Sequence, residues 1–230
     1  MIENVRHNTG TATQNLQSVP LKQLITQSAN SLVSKNELER RDHLVEGDIG
    51  YRFFPTLFAV NQASIYLSHQ YLGDRMINKP LGLVRWLREE SEIAWDNRQL
   101  LPSGLYRCKY RGAYWFMELK QGNSREGSIQ LVGVGSTDDF SQLDRSFKEN
   151  KDLDITAHVL NRVSLRMYDL YLQENAGKGI VPWLQDIFAK SMSQSVSGRH
   201  QLKYDDYCFI AAINRNRPGC LTLITVYEKH

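Results

Sequence analysis

The sequence is poor in cysteine, and its cysteines follow no site pattern. Cys108, Cys208 and Cys220 are the only three among 230 residues, and their spacing matches no zinc-ligand motif. An odd number of scattered thiols is typical of a protein kept in a reducing compartment. The sequence therefore predicts free thiols and a cytoplasmic location, and it argues against a disulfide framework.

Long apolar runs are also missing. No stretch approaches the length that spans a bilayer, and the first residues lack the basic-then-apolar order of a secretion signal. Because neither feature is present, we expect no membrane insertion.

Neither sign of charge is in large excess. The chain carries 28 Lys and Arg against 25 Asp and Glu, a net charge of +3, which argues against a strongly basic nucleic-acid tail. Its six histidines are scattered, without the close helical spacing of a metal site. We expect no metal and no cofactor.

What the chain does contain is a stretch that it repeats. Residues 82–89 (GLVRWLRE) resemble 179–186 (GIVPWLQD), and 125–134 (REGSIQLVGV) resemble 217–226 (RPGCLTLITV). Weaker matches fall between and before them in the same order: 114–117 with 207–210, Tyr106 with Tyr204, and 71–72 with 171–172. Ordered self-similarity of this kind predicts an internal duplication.

Each copy predicts an α+β unit of two helices followed by a three-stranded antiparallel meander. The expected helices are 57–72 and 80–95, then 155–172 and 181–192, and the expected strands are 105–110, 113–119 and 128–134, then 201–204, 207–213 and 220–227. The chain divides into a flexible arm with N-terminal helices (1–54), repeat one (55–135), a connection (136–153) and repeat two (154–230). In the N-terminal part, an amphipathic helix is expected from Ser18 to Leu32, with Pro20 in its first turn, and a charged helix over 35–46.

The central strand of each unit is apolar on both sides. Trp115 and Met117 alternate with Tyr114 and Phe116, whereas a sheet covered on one side alternates apolar with polar residues. The second sheet face should therefore be buried as well. Stacking of the two repeats on these faces is the favoured cover, with the N-terminal helix and a partner as alternatives. Trp86 and Trp183 stand at matching helical positions and are expected to be core anchors.

One strand of repeat one alternates cations with aromatic residues. Basic side chains on one face and tyrosines on the other suit a nucleic-acid backbone with stacked bases, or a charged protein partner. A solvated edge strand produces the same pattern. The candidate binding residues are Tyr106, Arg107, Lys109, Tyr110 and Arg111.

Repeat two carries polar residues on its terminal sheet: Arg199, His200, Lys203, Thr225 and Tyr227. Two helices followed by such a sheet resemble the barnase and EndoU group of small RNA-cleaving folds. The resemblance covers the topology of residues 154–230. It implies a metal-independent ribonuclease whose acid–base and phosphate-stabilising residues are His200, Lys203, Thr225 and Tyr227. EndoU sites use two neighbouring histidines, and only His200 stands in this region.

The favoured hypothesis is a non-enzymatic protein-interaction module, a regulator or inhibitor that acts by binding another protein. It rests on the duplicated scaffold and on the different charges of the two repeats. The alternative is an RNA-directed protein, either a single-strand RNA binder through repeat one or a ribonuclease through repeat two. The sequence specifies neither the partner nor an oligomeric state.

Overall fold

The structure, a computed structural model, describes residues 19–20, 52–77, 80–120, 128–144, 150–175, 177–196 and 199–229. Its architecture is α+β, with helices and two mixed sheets, in agreement with the predicted class. The predicted N-terminal arm and most of the predicted N-terminal helices lie outside the described residues.

Unit one, which corresponds to predicted repeat one, runs strand, three helices, four strands. Its elements are β2 (Arg52–Pro55), α1 (Leu57–Tyr66), α2 (Ser68–Ile77), α3 (Leu83–Trp95), β3 (Gln99–Leu100), β4 (Tyr106–Tyr110), β5 (Ala113–Lys120) and β6 (Ser128–Gly135). The sheet order is β2-β6-β5-β4-β3. The meander is antiparallel as predicted, and β2 adds to it parallel to β6.

Unit two, which corresponds to predicted repeat two, has the same order of elements. It comprises β7 (Leu153–Ile155), α4 (Ala157–Arg166), α5 (Tyr168–Asn175), α6 (Ile180–Lys190), β8 (Met192–Val196), β9 (Arg199–Tyr204), β10 (Tyr207–Ile213) and β11 (Leu221–Glu228). A two-residue strand from the N-terminal part, β1 (Val19–Pro20), joins its sheet. The sheet order is β1-β8-β9-β10-β11-β7, and β7 is parallel to β11.

The single helices predicted over 57–72 and 155–172 are wrong. Each is two helices, interrupted at Leu67 (φ −116°, ψ 14°) and Met167 (φ −122°, ψ 10°). The apolar pattern continues through each break because the residues on both sides face the same core: Leu67, Tyr71, Met167 and Tyr171 are all buried. Periodicity therefore does not mark the bend.

The predicted three-stranded meanders are wrong in number, because β3 and β8 add a fourth antiparallel strand to each. The strands that open each unit were also missed. β2 and β7 are short and lie at sheet edges, so they show no long alternation, and the predicted boundaries at 54/55 and 153/154 fall inside them. Val19 and Pro20 were expected to start a helix, but they form a two-residue strand against Ser193 and Met192. Proline lacks a backbone donor and is accepted at a sheet edge, where β1 lies.

The units meet through their helices, and the predicted stacking of their sheet faces is wrong. Helix α1 packs against α6, and α3 packs against α4. The rings of Tyr71 and Tyr168 pack against each other across this interface, with 4.9 Å between their centres. The second face of the first sheet is covered instead by the connection, since Phe140 packs on the fully buried Phe116 at 5.3 Å. The part of that face around Phe116 is thus buried by the connecting segment and not by unit two.

The predicted match between the central strands is displaced by one residue. Trp115 pairs with Val134 on the helix-facing side, and Phe209 pairs with Val226 on the same side. Phe209, not Cys208, therefore corresponds to Trp115. Because side chains alternate between the two faces of a strand, a match displaced by one residue assigned every residue of β10 to the wrong face.

Candidate functional site

The third helix of each unit begins at a glycine that has no side chain for capping. Gly82 precedes α3, and the first backbone N–H groups of that helix are bonded by α4 of the other unit. Ser164 Oγ accepts from Leu83 N at 2.8 Å, and Asn161 Oδ1 accepts from Arg85 N at 3.0 Å. These side chains supply the cap that the sequence of α3 lacks.

The reverse arrangement is present at α6. Ser64 Oγ accepts from Ile180 N at 2.9 Å, and Asn61 Oδ1 accepts from Val181 N at 3.1 Å. Helix α6 follows Gly179, and both contacts come from α1. Each unit therefore fixes the position of the other unit's third helix.

Those helices place two tryptophans in matching corners. Trp86 meets Tyr71 edge to face at 5.5 Å and donates its indole N–H to Asp74 at 2.9 Å. Trp183 meets Tyr171 at 5.5 Å and donates to Glu174 at 2.9 Å. Both are buried, in agreement with their prediction as core anchors.

A cluster of charged side chains lies beside Trp86. The Glu90 carboxylate, only 7% exposed, accepts from Tyr110 Oη at 2.8 Å and from Arg111 Nη2 at 3.1 Å. Arg111 Nη2 also lies 3.0 Å from Asp74 Oδ2. Arg111 occupies the β4–β5 turn with φ at +50°, and Asp205, with φ at +47°, occupies the same turn in unit two.

Trp86, Asp74, Glu90 and Arg111 border a cavity of about 370 Å³, which we call the Trp86 pocket. Arg85 and Glu89 form an exposed ion pair of 3.5 Å in its lining. Arg75 donates to Ser164 O at 3.1 Å and has no carboxylate partner among the described residues. The lining consists of Tyr71, Asp74, Arg75, Leu81, Arg85, Trp86, Glu89, Glu90 and Arg111.

The structure separates the five predicted binding residues. Arg107 and Lys109 lie on the outer face of the sheet, with Arg107 bonded to Asp138 at 3.1 Å. Arg111 belongs to the turn at the Trp86 pocket and does not continue their row. Of the tyrosines, Tyr110 bonds Glu90, while Tyr106 packs against Trp95 at 4.7 Å.

Sequence reasoning missed the acidic side of this cluster. Glu90 lies between the buried Leu87 and Ala94 on the apolar stripe of α3, and a carboxylate on such a stripe is the signal that was available. The partners of Glu90 come from the β4–β5 hairpin, which spacing along the helix does not reveal. Asp74 and Arg75 on α2 gave no comparable signal.

The structure does not gather the four predicted nuclease residues. His200 pairs with Ala211 on the core side of β9 and is 3% exposed. On the opposite face, Lys203 and Tyr227 both pair with Cys208, and Thr225 pairs with Ile210. His200 is thus separated from the other three by the sheet itself.

The protonation of these groups follows from their surroundings. Burial lowers the pKa of His200, and neither ring nitrogen has a hydrogen-bond partner in the described part of the chain. Contact with the Cys208 thiol, followed by burial, raises the pKa of Tyr227. Burial also raises the pKa of Cys108 to about 11, which makes it a poor nucleophile.

Within the described ranges, no group of three or more His, Cys, Asp or Glu side chains is placed to hold a metal ion. No helix in those ranges has the length and apolar character needed to cross a membrane. The described cysteines are unpaired and buried. No protein-family model, curated protein or solved structure matches this chain.

Proposed function

We propose that this chain is a non-enzymatic protein-interaction module, a regulator or inhibitor that acts by binding another protein through the part of unit one's outer sheet face that the connection leaves exposed. The observation that carries the proposal is a cationic group around one aromatic ring. Arg107 and Lys109 lie 5.8 Å and 5.5 Å from the ring centre of the half-buried Tyr114. We define these three residues as the Tyr114 patch.

The Tyr114 patch suits an acidic protein surface better than a nucleic acid. Arg107 is ion-paired with Asp138, and the next residue after Asp138 is Asp139. Carboxylates therefore border the cations. A protein partner can match charges of both signs at this surface, whereas a phosphate backbone carries charge of one sign only. Cations fixed beside an aromatic ring form an interaction surface with little ordering cost.

We further infer that the two units arose by internal duplication and then diverged at their surfaces. Support comes from the shared element order, the reciprocal caps and the matching tryptophan corners described above. Arg111 and Asp205 show the divergence, since opposite charges occupy the same turn. A reducing compartment such as the cytoplasm is proposed as the location, because the three cysteines are unpaired.

The proposal is tested by comparing two charge-matched double variants in affinity capture from the source cell. Arg107→Ala with Lys109→Ala removes two cations from the Tyr114 patch, and Lys151→Ala with Lys178→Ala removes two exposed cations elsewhere. We expect a partner captured by wild type to be retained by the second variant and lost by the first. The purified pair should then bind with an affinity that falls as salt rises.

Equal capture by both double variants would contradict the proposal. If the Arg107→Ala, Lys109→Ala variant loses affinity only for labelled single-stranded RNA, the Tyr114 patch serves RNA binding, the alternative function.

The alternative, an RNA-directed activity, is favoured by one observation in unit two. Lys203 and Tyr227 flank Cys208 in one row on the outer face, with Thr225 on the same side. Ribonuclease action there requires a general base other than His200, which lies inside. Cleavage of labelled RNA that is abolished by Lys203→Ala and unaffected by His200→Leu would support this alternative over the first.

A further inference from the structure

The two tryptophan corners differ in their arginines. The Trp86 pocket is lined by Arg75, Arg85 and Arg111. The matching sequence positions in unit two hold Asn175, Pro182 and Asp205. Both corners keep the same indole–carboxylate and aromatic contacts, so the packing of the tryptophan does not require any of the three arginines.

Arg75 differs from the other two in what it binds. Arg111 bonds both Glu90 and Asp74. Trp86 also donates to Asp74, and Tyr110 also donates to Glu90. Arg75 donates one N–H to the carbonyl of Ser164, and no carboxylate in the described part of the chain pairs with it. A half-buried guanidinium that faces a cavity with donors to spare is well suited to a bidentate oxyanion.

Arg85 can join Arg75 at little cost. Its partner is Glu89, one helical turn along α3, and the side chains are 63% and 52% exposed. Ion pairs of this kind on a helix surface are weak and easily exchanged. An anion next to Arg75 would therefore attract Arg85 away from Glu89.

We propose that the Trp86 pocket binds a small oxyanion, a carboxylate or a phosphate group, held by Arg75 and covered by Arg85. The cavity of about 370 Å³ lies at the lower end of the range for ligand pockets and admits such a group. The buried rings of Tyr71 and Trp86 provide its rigid wall. This site is separate from the Tyr114 patch and does not depend on the interaction function.

The matching corner of unit two gives the experiment an internal control. Indole N–H resonances of the ¹⁵N-labelled full chain are followed while sodium phosphate, or in a second series sodium acetate, replaces sodium chloride at constant ionic strength. We expect the Trp86 resonance, assigned from a Trp86→Phe variant, to shift and saturate. The Trp183 resonance should remain in place because its corner lacks the arginines.

Variants then assign the site to Arg75. Arg75→Gln keeps an amide donor for Ser164 and removes the charge, so we expect the dissociation constant to rise at least about tenfold. Arg162→Gln removes an exposed arginine from α4, at the position that matches Gln62, and should leave the dissociation constant unchanged. Arg85→Ala, on an exposed side chain that the fold does not need, should weaken binding at least about threefold.

The possible outcomes separate the two ligand classes and the failures. Saturation by phosphate alone assigns a phosphate ligand, by acetate alone a carboxylate ligand, and by both the shared oxyanion chemistry. A non-saturating shift, an equal shift at Trp183, or full affinity in both Arg75→Gln and Arg85→Ala would overturn the proposal. None of these results bears on the Tyr114 patch, whose variants are tested separately.

Discussion

Ser64 Oγ accepts a hydrogen bond from the backbone N–H of Ile180, 2.9 Å away in the other unit. Ser164 does the same for Leu83 at 2.8 Å. Both amides are buried at the start of a helix, where no partner from the same helix exists. The interface between the units is therefore also the N-terminal cap of each third helix.

Removal of either serine hydroxyl should destabilise the whole protein. Ser64→Ala and Ser164→Ala each leave a buried N–H without its acceptor, so we expect a loss of about 1–3 kcal/mol in the free energy of unfolding. Urea denaturation followed by tryptophan fluorescence measures this loss. Ser141→Ala, on an exposed hydroxyl, should change the free energy by less than about 0.5 kcal/mol. A loss as small as this in both interface variants would refute the capping role.

The glycines before the third helices should resist substitution to different degrees. A Cβ at Gly82 or at Gly179 would collide with Asn161 or Asn61, the side chains that cap the helices. Overpacking of this kind costs about 1–3 kcal/mol. Gly179 has in addition a φ of +85°, which strains any other residue by about 1 kcal/mol or more.

We therefore expect Gly179→Ala to be less stable than Gly82→Ala, and both to be less stable than wild type in urea denaturation. Gly73 lies within α2, and a Cβ there meets no atom within 4 Å. Gly73→Ala should accordingly stabilise the protein by about 0.5–1 kcal/mol, because alanine is the better helix former. Wild-type stability in both Gly82→Ala and Gly179→Ala would show that the Asn161 and Asn61 contacts adapt freely and would contradict this prediction.

The repeated helix–meander order was predictable because self-similarity and periodicity are local in sequence. The strand boundaries of β5 and β10 followed from runs of apolar and aromatic residues, and the α+β class followed from them. The face assignment of β10 failed because the sequence comparison matched Tyr207 to Tyr114. In the structure, Tyr207 lies opposite Tyr204 across the β9–β10 turn, and Ala113 lies opposite Tyr110 across the β4–β5 turn. Tyr207 therefore corresponds to Ala113. A turn conformation, not residue identity, sets that register.

The candidate sites were less predictable, because they depend on contacts between distant segments. Alternation gave Arg107 and Lys109 a common face, and the structure keeps them there. It could not show that Arg111 turns away to Glu90 and Asp74, since these residues come from two helices. In the same way, spacing gave no sign that His200 belongs to the buried side of its strand.

The stability of the protein should fall in mild acid because of His200. Burial lowers the folded-state pKa of this side chain below the unfolded value of about 6.5. The unfolded chain then binds more protons, so the stabilisation is complete above about pH 6.5 and is lost as the pH falls towards the folded pKa. Urea denaturation at pH 7.5 and pH 5.0 measures the difference.

Replacement of His200 by leucine should reduce this pH dependence. Neither ring nitrogen has a partner within the described structure, so an apolar side chain of similar size should be neutral or stabilising at pH 7.5. At pH 5.0 the His200→Leu variant should be clearly more stable than wild type. The exposed His69 provides the comparison, since His69→Gln should retain the wild-type pH dependence. Identical pH dependence in all three proteins would exclude His200 as its source.

Loss of Arg111 should be worse than loss of the whole ion pair. Arg111→Asn suits the positive φ of this turn position but leaves Glu90 buried without its cation, so we expect a loss of about 2–4 kcal/mol in the free energy of unfolding. Adding Glu90→Ile introduces the residue found at the matching position, Ile187, and should recover much of that loss. The two variants are compared by urea denaturation. A double variant less stable than Arg111→Asn alone would contradict this account.

The parallel strands β2 and β7 have a consequence for synthesis on the ribosome. β2 can pair with β6 only after nearly all of unit one has left the ribosome, and β7 can pair with β11 only after nearly all of unit two has done so. The first backbone N–H groups of α3 have no cap until Asn161 and Ser164 of α4 have been synthesised. A nascent chain released after residue 135 should therefore be a substrate for proteases and chaperones, and the protected state should form only after β11 has been synthesised.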